Sequence, residues 1–525
     1  MDINIKGWIT EHQKSIFYKY IYAIVLYSIL LVNNLVNRQD GIWNGPTYCA
    51  GNWELSIGRW ALRYVDVARF AISVNPWTSL ITLILFVIGT EFAIDVFRIK
   101  TDSKWNYLGS FMFLSNIIVC DVLSYTYTSN AYGLAFLLSV LSVKLINIGY
   151  EGWTNNRRSA VLALIAGMIV LGGMMGVYQN YLGCTCVFIL ACIIGLLTSH
   201  TKLADVIRYT ITSLVTGIGG FIAYEIVLKI ELIHWGVTLS DYNGANSISV
   251  GKILSSLNET LPKAYGQSFY YMITGEKFKW NLFQGKAMLL IIGVALILFI
   301  TTVINKLWSG NKPYILLVLV ILGLIPMAAN ISVILAPECM YWEQQTAPIA
   351  VIIPCLIWIF ANLQVDVGNA IINALAMLIT IVLLWGSMYQ VIIDQEAMRE
   401  GVNSAVTIAT EAVGCMLTDE SYDSSKPVAV FGTPYGNVLF NDTGISEKAS
   451  LYARIGGYSW FGGYTDLYNW KGILEHRMGI RLNYCSDNDY VDLRNSETVI
   501  NMPSYPERGC VQTVNGINVI KISDF

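Results

Sequence analysis

Apolar residues run along this chain in blocks of roughly twenty, the length that crosses a bilayer's hydrocarbon core. Eleven such blocks lie near 17–36, 77–97, 105–121, 131–149, 159–177, 181–199, 207–229, 287–307, 313–336, 347–363 and 370–393. The pattern predicts an all-α polytopic membrane protein with about eleven transmembrane helices over 1–393. One set of connections carries Lys6, Lys14 and Lys19, then Arg98, Lys100 and Lys104, Arg157 and Arg158, Lys202 and Arg208, and Lys306 and Lys312. The alternate short connections, 122–130, 178–180 and 337–346, hold no Lys or Arg. Basic residues stay on the cytoplasmic side, so this asymmetry places the N-terminus in the cytoplasm. An odd number of spans then places the C-terminal region outside. The first span has no cleavage site after it and reads as a signal anchor.

Three segments too long for plain connectors fall on the outer side: 37–76, 230–286 and 394–525. The last reads as a small extracytoplasmic α/β domain. It opens with Val402, Ala405, Val406, Ala409, Ala412, Val413 and Met416 at helical spacing. Strands are expected at "KPVAVFGT" (426–433) and "NGINVIKIS" (515–523), with a helix in "TDLYNWKGILEHRMG". In the first outer segment, residues 57–72 read as an amphipathic helix lying in the headgroup region. Ile57, Trp60, Tyr64 and Ile72 share its apolar face, and Arg59, Arg63 and Asp66 share the other.

Composition agrees with this reading. Of 525 residues, 55% are hydrophobic and 13% charged, against about 25% charged for a soluble domain. The net charge of −3 argues against a nucleic-acid partner. Ten cysteines lack metal-site spacing; Cys485 and Cys510 can pair if their domain faces an oxidising compartment.

The candidate chemistry sits in the outer segments. Asp40 follows the first span and reads as a general base for an acceptor hydroxyl, or as a solvated helix-end residue. Glu54 has the same two readings. Arg59 and Arg63 suit a lipid phosphate, which a guanidinium grips with two parallel hydrogen bonds, or they anchor the chain to anionic headgroups. Tyr178 and Gln179 lie at a tight outer turn, where an aromatic belt explains the tyrosine but not the amide. Asp121, Tyr125, Tyr127 and Asn130, in "DVLSYTYTSNAYG", suit a sugar ring or the same belt. Glu91, Asp95 and Glu225 lie inside spans, where acids are functional by default. There is no Walker loop, GxSxG, HExxH or GxGxxG, so an enzyme here needs an activated donor supplied in the membrane.

The acid after the first span, "IGRW" (57–60), "YQNY" (178–181) and "TSNAYGLAFLLSVLSV" (128–143) together resemble the bacterial serotype-converting, GtrII-like membrane glucosyltransferases. The likeness covers roughly residues 20–390. Members often carry an Asp-Asp pair where this chain has Gln39-Asp40, which loads the base role onto Asp40. The resemblance implies a GT-C type architecture and transfer of a sugar, typically glucose, from a polyprenyl-phosphate carrier to a surface glycan, with inversion. Asp40 is then the base; Glu54 stays a catalytic candidate by its position in the outer segment, not by the resemblance. Arg59 and Arg63 hold the donor phosphate, Tyr178 and Gln179 line the donor pocket, and Tyr125 and Asn130 meet a sugar. No nucleotide or firm cofactor is implied, and a divalent metal is left open. The implied partners are the lipid-linked donor, the glycan acceptor, the membrane, a donor-synthesising glycosyltransferase and a flippase. The competing readings are a transporter or flippase of lipid-linked sugars, a protein O-glycosyltransferase with the same donor, and a non-enzymatic surface scaffold.

Overall fold

The computed structural model describes residues 5–525 except 37, 245–247, 270–282, 309, 339–342, 368–369, 441–444 and 456–465. Helices dominate. The chain starts with α1 (Ile5–Leu26) and α2 (Ser28–Asn33), then three short helices, α3 (Arg38–Trp43), α4 (Asn52–Ser56) and α5 (Leu62–Ala68). The bundle continues through α6 (Trp77–Val96), α7 (Lys104–Leu114), α8 (Ile117–Ser124), α9 (Ser129–Asn155), α10 (Arg157–Tyr178), α11 (Leu182–Thr198) and α12 (Leu203–Trp235). An amphipathic helix, α13 (Val250–Phe269), precedes α14 (Phe283–Trp308), α15 (Lys312–Ala329), α16 (Ile331–Leu335), α17 (Ala347–Ala350), α18 (Ile352–Val367) and α19 (Ala370–Thr418).

Seven helical stretches among the described residues are long and apolar enough to span a membrane, or eight with the α7–α8 pair, which bends by 49°. One of the seven is the 42-residue stretch Arg157–Thr198, and packing shows that it reverses. Along α10, Gly167 lies over Leu145 and Ser142 while Gly149 lies over Leu164, so α10 runs antiparallel to α9. Along α11, Thr185 bonds Ser139 at 2.9 Å and Cys192 meets Asn147, so α11 runs parallel to α9. The turn at Gln179–Tyr181 therefore joins two arms, as the sequence suggested. Among the described residues the expected count of eleven is not confirmed. The first expected span is broken at Tyr27, and Ala347–Leu363 is a shorter apolar stretch.

The break in the first span has an identifiable cause. In an unbroken helix the Leu26 carbonyl would accept from the Leu30 N–H. Here the Gln395 side chain stands between them, donating to Leu26 O at 2.9 Å and accepting from Leu30 N at 3.0 Å. A side chain inserted into the helical ladder turns the axis and sends the chain towards α3.

Gln395 belongs to α19, which fuses two elements that the sequence separates, the last span and the amphipathic helix after it. Its 49 residues extend about 73 Å at 1.5 Å per residue, over twice a hydrocarbon core of about 30 Å. Val402, Ala405, Ala409, Ala412, Val413 and Met416 are all buried, on the face that the spacing marked. The C-terminal unit packs there. Its sheet, ordered β1–β3–β2, holds β1 (Val428–Phe431) parallel to β3 (Ile517–Lys521) and β2 (Val511–Val514) antiparallel to it. Around the sheet lie α21 (Asp466–Gly472), α22 (Asp487–Arg494) and α23 (Glu497–Ile500), while α20 (Ile445–Tyr452) packs on α19 through Ala449. Cys485 and Cys510 are not paired, and the Cys510 thiol lies against Cys415 instead.

Gln395→Leu removes a donor and an acceptor from two buried backbone groups. A cost of about 1–3 kcal/mol is expected, seen as a lower melting temperature of the detergent-purified protein; an unchanged melting temperature contradicts the inserted-amide account.

Candidate functional site

At one end of the bundle, the segment from α3 to α5 meets the α10–α11 turn and the segment before α9. Gly58 is the pivot. It holds φ at +85°, and a Cβ there would overlap the Tyr224 hydroxyl and the Gln179 amide. Gln179 Nε2 donates to Ile57 O at 2.9 Å, and Tyr224 OH donates to Gly58 O at 3.1 Å. The next residue, Arg59, stacks its guanidinium 4.4 Å above the Tyr178 ring. Trp60 then packs against Gly176, where any side chain would collide with the indole. The "IGRW" and "YQNY" stretches thus touch, and each residue type follows from that contact.

This geometry corrects the expected helix over 57–72. The left-handed turn at Gly58 starts the break, and only Leu62–Ala68 is helical before Phe70 and Ala71 adopt positive φ. Arg59 and Arg63 do not share a face. Arg63 donates to Ala50 O at 3.2 Å and to Asn52 Oδ1 at 3.1 Å, and stacks 4.0 Å over Trp235. The exposed side instead presents Tyr64, Val67, Phe70, Ile72 and Trp77, an apolar band suited to the interface.

Asp40 sits in the first turn of α3. Ile42 seats this helix against Gly472 of α21, where a Cβ would overlap the Ile42 carbonyl. The Trp43 indole N–H donates to Asn469 Oδ1 at 2.6 Å. The Asp40 side chain is solvent-exposed, yet desolvation by surrounding protein pushes its carboxyl up from the ordinary value, with the Arg59 charge opposing. Asp40 thus stands exposed within electrostatic range of Arg59 and Tyr127, and the space these three share is termed the recess. Among the described residues, neither the Asp40 carboxylate nor the Arg59 guanidinium has a hydrogen bond or ion pair.

Tyrosines wall the recess. The Tyr132 ring meets Tyr178 edge-on at 4.9 Å, and Tyr127 meets Tyr48 at 4.6 Å. Burial first, then the Asp40 charge, hold the Tyr127 phenol well above its usual range, so it is a neutral donor at physiological pH. Burial opposes the charge on Arg59, but Tyr178, Tyr132, Tyr127 and Glu54 outweigh it and raise its pKa. Arg59 is a permanent cation.

The other expected site residues are placed as follows. Glu54 accepts from the Gly51 N–H and from Tyr48 OH, each at 2.6 Å, and so closes the first turn of α4 beside the recess. Gln179 is spent on the Gly58 loop. Tyr125 and Asn130 are buried, the first 6.4 Å ring to ring from Tyr127, the second with no partner for Oδ1. The sequence marks Tyr127 together with Tyr125 as suited to a sugar ring, but nothing in it gives a role to Tyr132, Tyr48 or Tyr224. Tyrosine clustering at 125–132 and 178–181 was the available signal. Glu91 and Asp95 form a separate buried network, with Glu91 bound by Lys19 at 2.6 Å and His12 at 2.7 Å, and Asp95 by Trp8, His12 and Lys144. No group of three His, Cys, Asp or Glu among the described residues is arranged to hold a metal.

A family model, Glucosyl transferase GtrII, matches residues 44–360, more than half of the 525-residue chain. The match includes Arg59 and the tyrosine turn; it begins just after Asp40 and stops before the C-terminal unit. No curated protein and no solved structure matches the chain.

Gly58→Ala tests the pivot. The left-handed backbone alone costs a non-glycine residue about 1–2 kcal/mol, and the overlap with Tyr224 and Gln179 adds to it. A clear fall in melting temperature is expected; a variant as stable as wild type rules the pivot out.

Proposed function

Because the chain belongs to the GtrII glucosyl transferase family, we propose that it moves glucose from a polyprenyl-phosphate carrier to a surface glycan, with Asp40 as base. The single observation that carries this reading is the unpartnered pair of Asp40 and Arg59 in one tyrosine-walled recess. Charged groups in an apolar protein are normally paired, because an unpaired buried charge is costly. A base and a cation kept apart from protein partners, in mutual electrostatic range, suit an ionic substrate that enters between them.

In this scheme the acceptor hydroxyl gives its proton to Asp40 as its oxygen bonds the anomeric carbon. The bond from that carbon to the phosphate oxygen breaks, its electron pair stays on the phosphate, and Arg59 stabilises the charge that develops. Attack opposite the leaving group inverts the anomeric configuration. Tyr127 and Tyr178 meet the sugar, while Glu54, Arg63 and Gln179 hold the loops that present Arg59. The recess lies at the bundle end away from Arg98, Arg157, Arg158 and Lys202, which by the positive-inside rule is the outer face. The N-terminus is then cytoplasmic and the C-terminal unit extracytoplasmic, in a GT-C type arrangement.

Deleting the gene in its host is expected to remove one glucose substituent from the surface glycan; an unaltered glycan composition would sink the proposal. Arg59→Ala should raise donor KM and lower kcat, together about 10²–10³-fold in kcat/KM, measured with polyprenyl-phosphate glucose. Unchanged donor dependence removes its phosphate role. The raised Asp40 pKa sets a pH signature. Transfer needs the carboxylate, so kcat/KM should fall as pH drops through a value raised from the ordinary one for Asp, and a profile flat through the acid range contradicts the assignment.

A further inference from the structure

Arg59 and the tyrosines stand on one side of Asp40, and the C-terminal unit seats α3, the helix that carries it. In α3, Asp40 and Trp43 are three residues apart, so their side chains lie on one face, while Ile42 points to Gly472. Segment 466–477 holds this short helix at both ends. Arg477 donates to Asn34 O at 2.5 Å ahead of α3, and His476 Nε2 lies 3.2 Å from Trp43 O behind it. Asn469, fully buried, fixes the indole by its N–H. The ring it fixes stands 5.5 Å from Tyr468 at an interplanar angle of 53°. Tyr468 is 37% exposed, and its hydroxyl bonds the exposed Asp487 of α22. A core aromatic is not placed this way. Two adjoining rings with a carboxylate at the rim present apolar faces and a hydrogen-bond acceptor together, the combination that a sugar ring offers in complement through its C–H faces and hydroxyls.

We propose that Trp43, Tyr468 and Asp487 form the acceptor subsite, which seats a residue of a glycan chain beside Asp40. The inference rests on the reading of Asp40 as base and assigns a role to the C-terminal unit, which the family match does not reach. A base must face the hydroxyl it deprotonates, so the acceptor has to arrive on the side of α3 that carries Asp40 and Trp43. The two carboxylates, Asp40 and Asp487, favour a neutral stretch of glycan. Asn469 is a positioning residue, acting through the indole.

The test uses the full-length Asp40→Asn protein, immobilised in detergent without donor and titrated with surface polysaccharide from a host strain lacking this chain. Saturable binding is expected. Adding Tyr468→Ala should weaken it about tenfold, the worth of one good aromatic contact, while Tyr468→Phe stays within about twofold. In the active enzyme, Tyr468→Ala should raise acceptor KM by a like factor and leave donor KM unchanged. Tyr468 is at the surface, and equal melting temperatures exclude a folding defect; if Tyr468→Ala misfolds, Asp487→Ala carries the same binding measurement. Absence of saturable binding, or equal binding by the alanine and parent proteins, overturns the proposal. The binding readout does not pass through catalysis, so a failed base or donor assignment is distinguishable from a failed subsite.

Discussion

In a chain this apolar, a charge without a partner has to be held in place by the rest of the fold, and the arrangement of Arg59 follows from that constraint. Other buried charges are neutralised locally. Glu91 is bound by Lys19 and His12, Asp66 by Arg69 at 2.7 Å and the Ala50 N–H at 2.8 Å, and Asp394 by the Arg454 and Ile455 N–H groups. Among the described residues Arg59 meets ring faces and phenols, with Glu54 and Asp40 in electrostatic range but not bonded to it. A cation over an aromatic face gains part of what a carboxylate would supply, about 0.5–2 kcal/mol, and keeps its hydrogen-bond donors free. The neighbouring glycine turn, the Gln179 bonds and the Trp60–Gly176 contact all serve to hold that geometry.

The Asp40 side of the recess depends on a mechanical link. The rod α19 carries Gln395 at the level of the first span and then rises to the C-terminal sheet. The same helix thereby bends α1 away from α2 and supports the unit whose α21 seats α3. The position of Asp40 is thus set by residues more than 350 positions away in sequence.

The sequence made some of this legible, for physical reasons that can be named. Apolar runs and basic loops mark spans because burial in lipid needs length and the two faces differ in charge. The buried face of 402–416 was readable because helical spacing survives even when two helices fuse. The fusion itself was not readable, since no residue at 394 breaks a helix. The helix expected at 57–72 failed because hydrophobic spacing cannot register one left-handed glycine. Asp40 and Arg59 stood out as polar groups in an unusual place, whereas Arg63 and Glu54 looked equivalent to them until their carbonyl, amide and phenol partners were seen. The joining of Trp43 to Asn469 is a contact across 426 residues, and no local pattern encodes it.

On the proposed reading, Asp40 is placed for chemistry and not for stability. Its folded-state pKa is raised, so the native state holds its proton more tightly than the unfolded chain does. Stability therefore declines as pH rises through that window, and at neutral pH the carboxylate is a net cost to the fold. The deciding measurement compares wild type and Asp40→Asn for transfer of labelled glucose from polyprenyl-phosphate glucose to host polysaccharide, with melting temperatures taken alongside. The account predicts transfer reduced about 10²–10⁴-fold in a protein at least as stable as wild type. Transfer at the wild-type rate, or a variant that loses activity only by unfolding, would contradict it.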